Sequence, residues 1–300
     1  MAESPDVNPR GARGGREMST KYIWLKALAR PTPAIGVLLV GGWLVIALLS
    51  HVLAPYDPLH SMVPLMTPGA HGPDGSVFWL GTDSLGRDVL SRLIYGARTV
   101  VVVATVATLT AYVVGISTGL LAGYFRGRVD IALSFFANVI LSFPVLVLYI
   151  VIIVALGASA ANVVLAVTFG SAPAIFRIVR AITIDLRSRD FIAAAITQGE
   201  STWRILLVEI LPNSSGPLIV DFCLRLGYSA ITMGVLGFLG LGLPPPTPDW
   251  GGMVNEGRTL AFAFPHLVLF PCLAISSLVL GLSLLADGLR QPAARLGKVG

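Results

Sequence analysis

Long apolar windows alternate with short, arginine-bearing polar stretches along nearly the whole chain. Five windows carry no charged residue, at 31–56, 99–125, 131–176, 226–248 and 259–286. A helix needs about 20 apolar residues to cross a bilayer, so each window holds at least one crossing. The third holds two, with a turn at 157–161. The fourth extends back through Leu211-Pro212 if Asp221 and Arg225 are accepted inside a helix. The pattern predicts six crossings, near 34–54, 99–123, 132–156, 162–180, 211–240 and 265–286.

Two connections between these crossings are long. The 55–97 segment starts with Pro55, Pro58, Pro64, Pro68 and Pro73. It continues into Val89, Leu90, Leu93 and Ile94, spaced as on one helix face, with Arg87, Asp88, Ser91 and Arg92 on the other. That pattern predicts an amphipathic helix lying in the membrane interface. The 181–210 segment is polar and basic. It predicts a short helix from Asp190 to Gln198, a glycine stop at Gly199, and a second amphipathic stretch ending at Pro212. A plain connector needs only a few residues, so about thirty structured residues suggest a surface on which another protein docks.

Composition agrees with a membrane chain. Of 300 residues, 55% are hydrophobic and 12% charged, with mean hydropathy +0.80; soluble domains carry roughly 25% charge. The flanks assigned to one side hold sixteen Lys and Arg and those on the other side four, which predicts both termini in the cytoplasm. The first window is too long for a signal-peptide core and lacks a small-residue cleavage site. Residues 1–20, rich in Gly, Pro and Arg, are expected to be disordered within a basic cytoplasmic tail, 1–33. A second cytoplasmic tail is expected at 288–300, and the transmembrane domain proper at 98–287.

Several chemistries drop out. The net charge of +5 is scattered between apolar runs, so nucleic acid is not an expected partner. None of the lysines, Lys21, Lys26 and Lys298, stands in a phosphate-cradling GxxxxGK[ST] loop. His51, His60, His71 and His266 show no metal-ligand spacing, and Cys223 and Cys272 sit in apolar stretches suited to packing. An intramembrane protease is disfavoured, because GxGD, HExxH and a serine with an intramembrane histidine partner are all missing. A stand-alone channel or secondary transporter has no use for a thirty-residue docking loop.

The segment DFIAAAITQGESTWRILLVEILPN, residues 190–213, resembles the cytoplasmic coupling motif of ABC importer permeases. Ala194 and Ala195 match the motif's alanines, Gly199 its glycine, Ile205 its aliphatic position and Leu211-Pro212 its end; the motif's glutamate position is Ala193 here. WLGTDSLGRDVLSRLIYGART at 79–99, GLLAGYFRGRVD at 119–130, GVLGFLGLGLPPPTPDWGGMVNEGR at 234–258 and FPHLVLFPCLAISSLVLGLSLLADGLR at 264–290 resemble the second permease subunit of dipeptide, oligopeptide and nickel importers. The resemblance runs from about residue 34 onward. It implies an all-α, six-helix type I importer fold in a bacterial inner membrane. The implied partners are a homologous permease, two cytoplasmic ATPases that bind ATP and Mg, and an extracytoplasmic solute-binding protein. No cofactor or metal is expected in this chain itself. The coupling residues would be Asp190, Ala193, Ala194, Ala195, Gly199, Glu200, Ile205, Leu211 and Pro212, and the cargo a di- or oligopeptide, or nickel or another small solute.

Inside the crossings, Asp221 and Arg225 stand four apart on one helix face. They either line the substrate pathway or form an internal ion pair, since charges within a bilayer face a bundle interior or a water-filled cavity. Asn138 is a further pathway candidate, against the commoner role of hydrogen-bonding helices together, which is expected of Asn162. Pro144 and Pro173 are expected to kink their helices. Trp24, Trp43, Trp79 and Trp250 are expected as interface anchors, and Asp249, Trp250 and Glu256 as water-facing loop residues, with contact to the solute-binding protein as the alternative.

Overall fold

The computed structural model describes residues 30–296. The expected disorder of 1–20, the anchoring role of Trp24 and the last four residues lie outside it. The described chain is mostly helical: α1 (Pro31–Leu48), α2 (Ser50–Leu53), α3 (Val89–Phe125), α4 (Gly127–Leu141), α5 (Val145–Leu156), α6 (Ala160–Arg187), α7 (Asp190–Thr197), α8 (Thr202–Phe238), α9 (Trp250–Gly257) and α10 (His266–Leu296). One two-stranded hairpin, Ala70–His71 with Val77–Phe78, lies in the long connection before α3.

Five helices, α1, α3, α6, α8 and α10, are long and apolar enough to span a membrane. The predicted crossing at 132–156 is instead a broken pair: α4 and α5 meet at 88°. The break falls at Ser142-Phe143-Pro144, where proline disfavours helical geometry in the residue before it. With α4 and α5 counted as one span there are six.

Packing partners reveal direction. Gly115, Gly119 and Gly123 of α3 face Ile175, Val179 and Thr183 of α6 in the same order, so these helices run parallel. A Cβ on any of the three glycines would come within 2.6 or 2.7 Å of those side chains; hydrogen side chains let the backbones close up, as small residues do between membrane helices. The parallel course means that 126–159 must return along the length of the bundle. Thr108 pairs with Ser229 and Tyr112 with Asp221, so α8 is antiparallel to α3. Gly227 and Gly234 of α8 face Leu282 and Ile275 of α10, and Gly36 of α1 meets Gly281 and Leu285 of α10, each pair again antiparallel. Pro33 abuts Gly288. Both described chain ends therefore lie at one end of the bundle, here the lower end, together with 126–127 and 188–201. The 54–88 connection and α9 form the upper end.

The helices differ from the sequence expectations in instructive ways. The interfacial helix and the second crossing are one rod, α3, 37 residues long. The amphipathic stretch at 202–212 does not end at Pro212 but continues through it into α8. Pro212 has no N–H for the carbonyl four residues back, and the preceding turn, Ile205–Ile210, is π-helical.

Candidate functional site

At the lower end, α7 is a two-turn helix set between α6 and α8. Ile192 and Ala195 point inward and are buried with Leu186, Ile205, Leu206 and Ile210, while Ala193, Ala194, Ile196 and Thr197 are exposed. Phe191 covers part of the same cluster. The helix stops in a Schellman arrangement: Glu200 N–H donates to the Ala195 carbonyl (3.1 Å) and Gly199 N–H to that of Ile196 (3.0 Å). Gly199 has φ +76° with open space where a Cβ would stand, so glycine is required by backbone conformation rather than by crowding. Asp190 opens α7, exposed at its positive end. Arg204 pairs with Glu200 at 3.3 Å, and the other Glu200 carboxylate oxygen is buried without a partner among the described residues. Leu211 is half-buried against the cluster, and Pro212 is exposed. The result is a rigid, small-residue ledge whose apolar underside ties it to both α6 and α8.

Within the bundle, Asp221 Oδ2 accepts from Arg225 Nε and from the Tyr112 hydroxyl, each at 2.6 Å. The pair thus fastens α8 to α3. Asn138 Oδ1 accepts from Arg177 Nη2 at 2.8 Å, linking α4 to α6. Asn162 instead closes the 157–159 turn, donating to the Leu156 and Gly157 carbonyls.

The upper end holds a site that the sequence reading placed wrongly. Arg87 and Arg92, expected on a solvent face, are buried at 6% and 3% exposure, and Asp83 and Asp88 with them. Asp83 Oδ1 accepts the backbone N–H of Leu85 and Arg87, both at 2.9 Å, which folds the turn before α3. Its Oδ2 receives Arg87 Nε (2.8 Å) and Arg92 Nη1 (2.5 Å). Glu256 of α9 closes the network, binding both guanidinium groups at 2.6 Å. Asp88 caps α3 by accepting from Ser91 N–H and Oγ–H, although burial pushes its carboxyl above the usual range. Neighbouring countercharges make this inward face tolerable.

Asp249 and Trp250, also expected in water, are buried. Trp250 is fully enclosed, lies on Gly96, and donates from Nε1 to the Leu93 carbonyl at 2.9 Å. Trp43 packs edge-on against it, with centroids 4.8 Å apart, and donates to Ser277. Trp250 has no exposed surface with which to anchor in an interface and Trp43 is half-buried, whereas Trp79 is 64% exposed. Asp249 caps α9 through the Gly252 N–H.

Burial pushes the Asp249 carboxyl up to about 6, against the pull of the Gly252 and Gly251 amides and of Arg92, while Glu256 adds to the rise. A raised carboxyl pKa favours the folded form below the unfolded value, and that advantage is lost as pH climbs from about 4 through about 6. Hydrogen exchange in 249–257 should therefore show less protection at pH 7 than at pH 5, after correction for intrinsic rates. The difference should be about 1.4 kcal/mol at most, since only about one unit of the shift lies above pH 5, and Asp249→Asn should flatten it. Equal pH dependence in the variant would disprove the assignment.

Comparison with known proteins places this architecture. Residues 115–291 match the family model described as binding-protein-dependent transport system inner membrane component. The glutathione transport system permease protein GsiD of Pectobacterium atrosepticum is 42% identical over 216 residues, 72% of each chain. The dipeptide transport system permease protein DppC of Alkalihalophilus pseudofirmus is 36% identical over 259 residues, 86% of this chain and 83% of that one. Among solved structures, an inward-facing MetNI methionine ABC transporter chain shares the fold with TM-score 0.54 at 18% identity, covering 67% of this chain and 95% of its own. A match across 115–291 and relatives aligned over most of their length leave one conclusion: the chain belongs to the binding-protein-dependent transport system inner membrane component family, as an ABC importer permease of the DppC type.

Proposed function

We propose that this chain is one of two homologous permeases of an ATP-driven importer for small peptides, dipeptides or glutathione-like solutes. The names of its relatives support that cargo class. In this reading the permease crosses the inner membrane six times, with the α4–α5 pair as the third crossing and both termini in the cytoplasm. The lower-end ledge, 190–200, sits in a groove of a cytoplasmic ATPase. A solute-binding protein delivers cargo from the other side.

The observation that carries the proposal is the construction of α7. Its inner face is buried with residues of α6 and α8, so displacement of the ledge must move both long helices together. ATPase closure would thereby swing α6 and α8 and switch the path between its two faces. Ala193 and Ala194 leave the outer face shallow enough for close docking. The buried Glu200 oxygen that has no partner among the described residues is suited to receive a donor from the ATPase. ATP and Mg are bound by that partner and not by this chain.

The test is extraction of the C-terminally tagged chain from its native membrane, identification of what accompanies it by mass spectrometry, and assay of the eluate for ATP hydrolysis. A second six-span permease and one or two P-loop subunits are expected, together with ATP-dependent dipeptide uptake in proteoliposomes. Recovery of the chain alone, even after crosslinking, would overturn the importer reading in favour of a stand-alone transporter or channel.

A further inference from the structure

The stretch that joins α8 to α9 is poor in backbone donors. Pro244, Pro245, Pro246 and Pro248 have no N–H and hold φ near one value, so the 240–249 loop is a stiff wall. Between this wall, α9 and the head of α3 lies a cavity of about 200 Å³ at the upper end of the bundle. A single bound water needs far less space, and the volume suits a small ligand.

The lining is polar and carries unused hydrogen-bonding capacity. Arg87 is only 6% exposed; its Nε goes to Asp83 and its Nη2 to Glu256, while Nη1 has no partner among the described residues and is left to the cavity that Arg87 lines. The Asn255 amide and the Thr247 hydroxyl, in the same lining, have no hydrogen-bond partner among the described residues either. Asp249 Oδ1 and Arg92 Nε are buried in the walls, again without one. Glu256 is the lining carboxylate with open surface, its side chain 32% exposed.

Charge decides what fits. Arg87 and Arg92 are offset by Asp83 and Glu256, and Asp249 adds a further carboxyl, so the site holds no surplus of positive charge. A free anion gains little there. A molecule that brings its own cation gains more: its carboxylate takes the open donors of Arg87, Asn255 and Thr247, and its ammonium takes Glu256. Bonds of this charge-assisted kind are the stronger ones, and a wall already fixed by prolines lowers the cost of ordering the site.

We infer that this upper-end cavity binds a small zwitterion, an α-amino acid or a dipeptide, with its carboxylate on Arg87, Thr247 and Asn255 and its ammonium on Glu256. The site stands without the importer reading; only the identity of the ligand as incoming cargo rests on that reading.

The experiment takes the tagged chain with whatever accompanies it into nanodiscs, without solute-binding protein or ATP, and follows radiolabelled dialanine by equilibrium dialysis up to about 10 mM. Saturable binding is expected. N-acetyl-dialanine, which lacks the ammonium, and dialanine amide, which lacks the carboxylate, should each bind about tenfold more weakly or worse. Asn255→Leu and Thr247→Val should each weaken dialanine binding about threefold or more. Neither residue belongs to the ionic network, so cleavage of the 54–88 connection should keep its wild-type rate in both. Absence of binding leaves the cavity to water and overturns the inference. Binding that both variants leave intact places the site elsewhere and overturns it too, and equal affinity for the acetylated or amidated peptide refutes the zwitterion. Loss of binding accompanied in both variants by faster cleavage would make the two side chains structural and sink the proposal. Dialysis needs no turnover, so binding without any uptake would count against the importer reading and leave the site standing, whereas uptake without binding would do the reverse.

Discussion

Asp83→Ala is expected to loosen the whole upper end of the bundle by about 3–5 kcal/mol, the usual cost of removing one partner from a buried ionic network. The carboxylate has two separate duties. Oδ1 organises the turn by accepting the Leu85 and Arg87 amides, and Oδ2 sits between the Arg87 and Arg92 guanidinium groups. Alanine removes both and leaves two arginines, each less than one-tenth exposed, to share Glu256. Arg92 Nε already has no partner among the described residues. Asp83→Asn keeps an oxygen for the turn and removes only the charge; its cost should be smaller. The measurement is the rate of proteolytic cleavage in the 54–88 connection under conditions where local opening precedes cleavage. A rise of about 100-fold or more for alanine corresponds to about 3 kcal/mol. A change below threefold would show that water reaches the arginines and that the network is not buried in the assembled protein.

That network also marks the limit of what the sequence discloses. Helical spacing correctly separates Val89, Leu90, Leu93 and Ile94 from Arg87, Asp88, Ser91 and Arg92, yet periodicity states only that two faces differ and not which one meets the protein. The deciding partner, Glu256, is 164 residues from Arg92, and no local rule connects them. Trp250 was misplaced for the same reason: it is buried because Gly96, in a different helix, leaves room for its ring. The lower end was more legible because its determinants are local. A two-turn helix followed by glycine implies a left-handed cap, and α7 and Gly199 have that form. The apolar windows located the long helices because length and hydropathy are properties of contiguous residues. The Gly115, Gly119 and Gly123 series, spaced for close helix contact, was present in the sequence and passed over. It holds the information that α3 packs tightly on a neighbour, though not that the neighbour is α6 or that the two run parallel.

Asp221→Ala should prevent stable assembly, at a cost of about 3 kcal/mol or more, because it leaves Arg225 without its counter-ion inside an apolar bundle. The side chains of the pair are only 19% and 17% exposed, and the Asp221 carboxylate is further engaged by Tyr112, whose ring packs edge-on against Phe222 at 5.2 Å. One carboxylate oxygen thus joins a helix neighbour four residues on and a helix antiparallel to it. Both contacts use Oδ2, so the first duty of this carboxylate is to hold α8 against α3. The discriminating variant is therefore the double replacement Asp221→Leu with Arg225→Met, which removes both charges and keeps the volume. A fastening role predicts that it assembles with the partner permease to near wild-type yield, since apolar replacements of a buried pair are often neutral or better. It also predicts that dipeptide uptake returns to within about threefold of wild type. A double variant that assembles normally but transports less than one-tenth as fast would reverse the conclusion, making the pair a contact on the substrate path. Asp221→Asn should fall between the extremes, because an amide oxygen can still accept from Tyr112 while the charge on Arg225 goes unanswered.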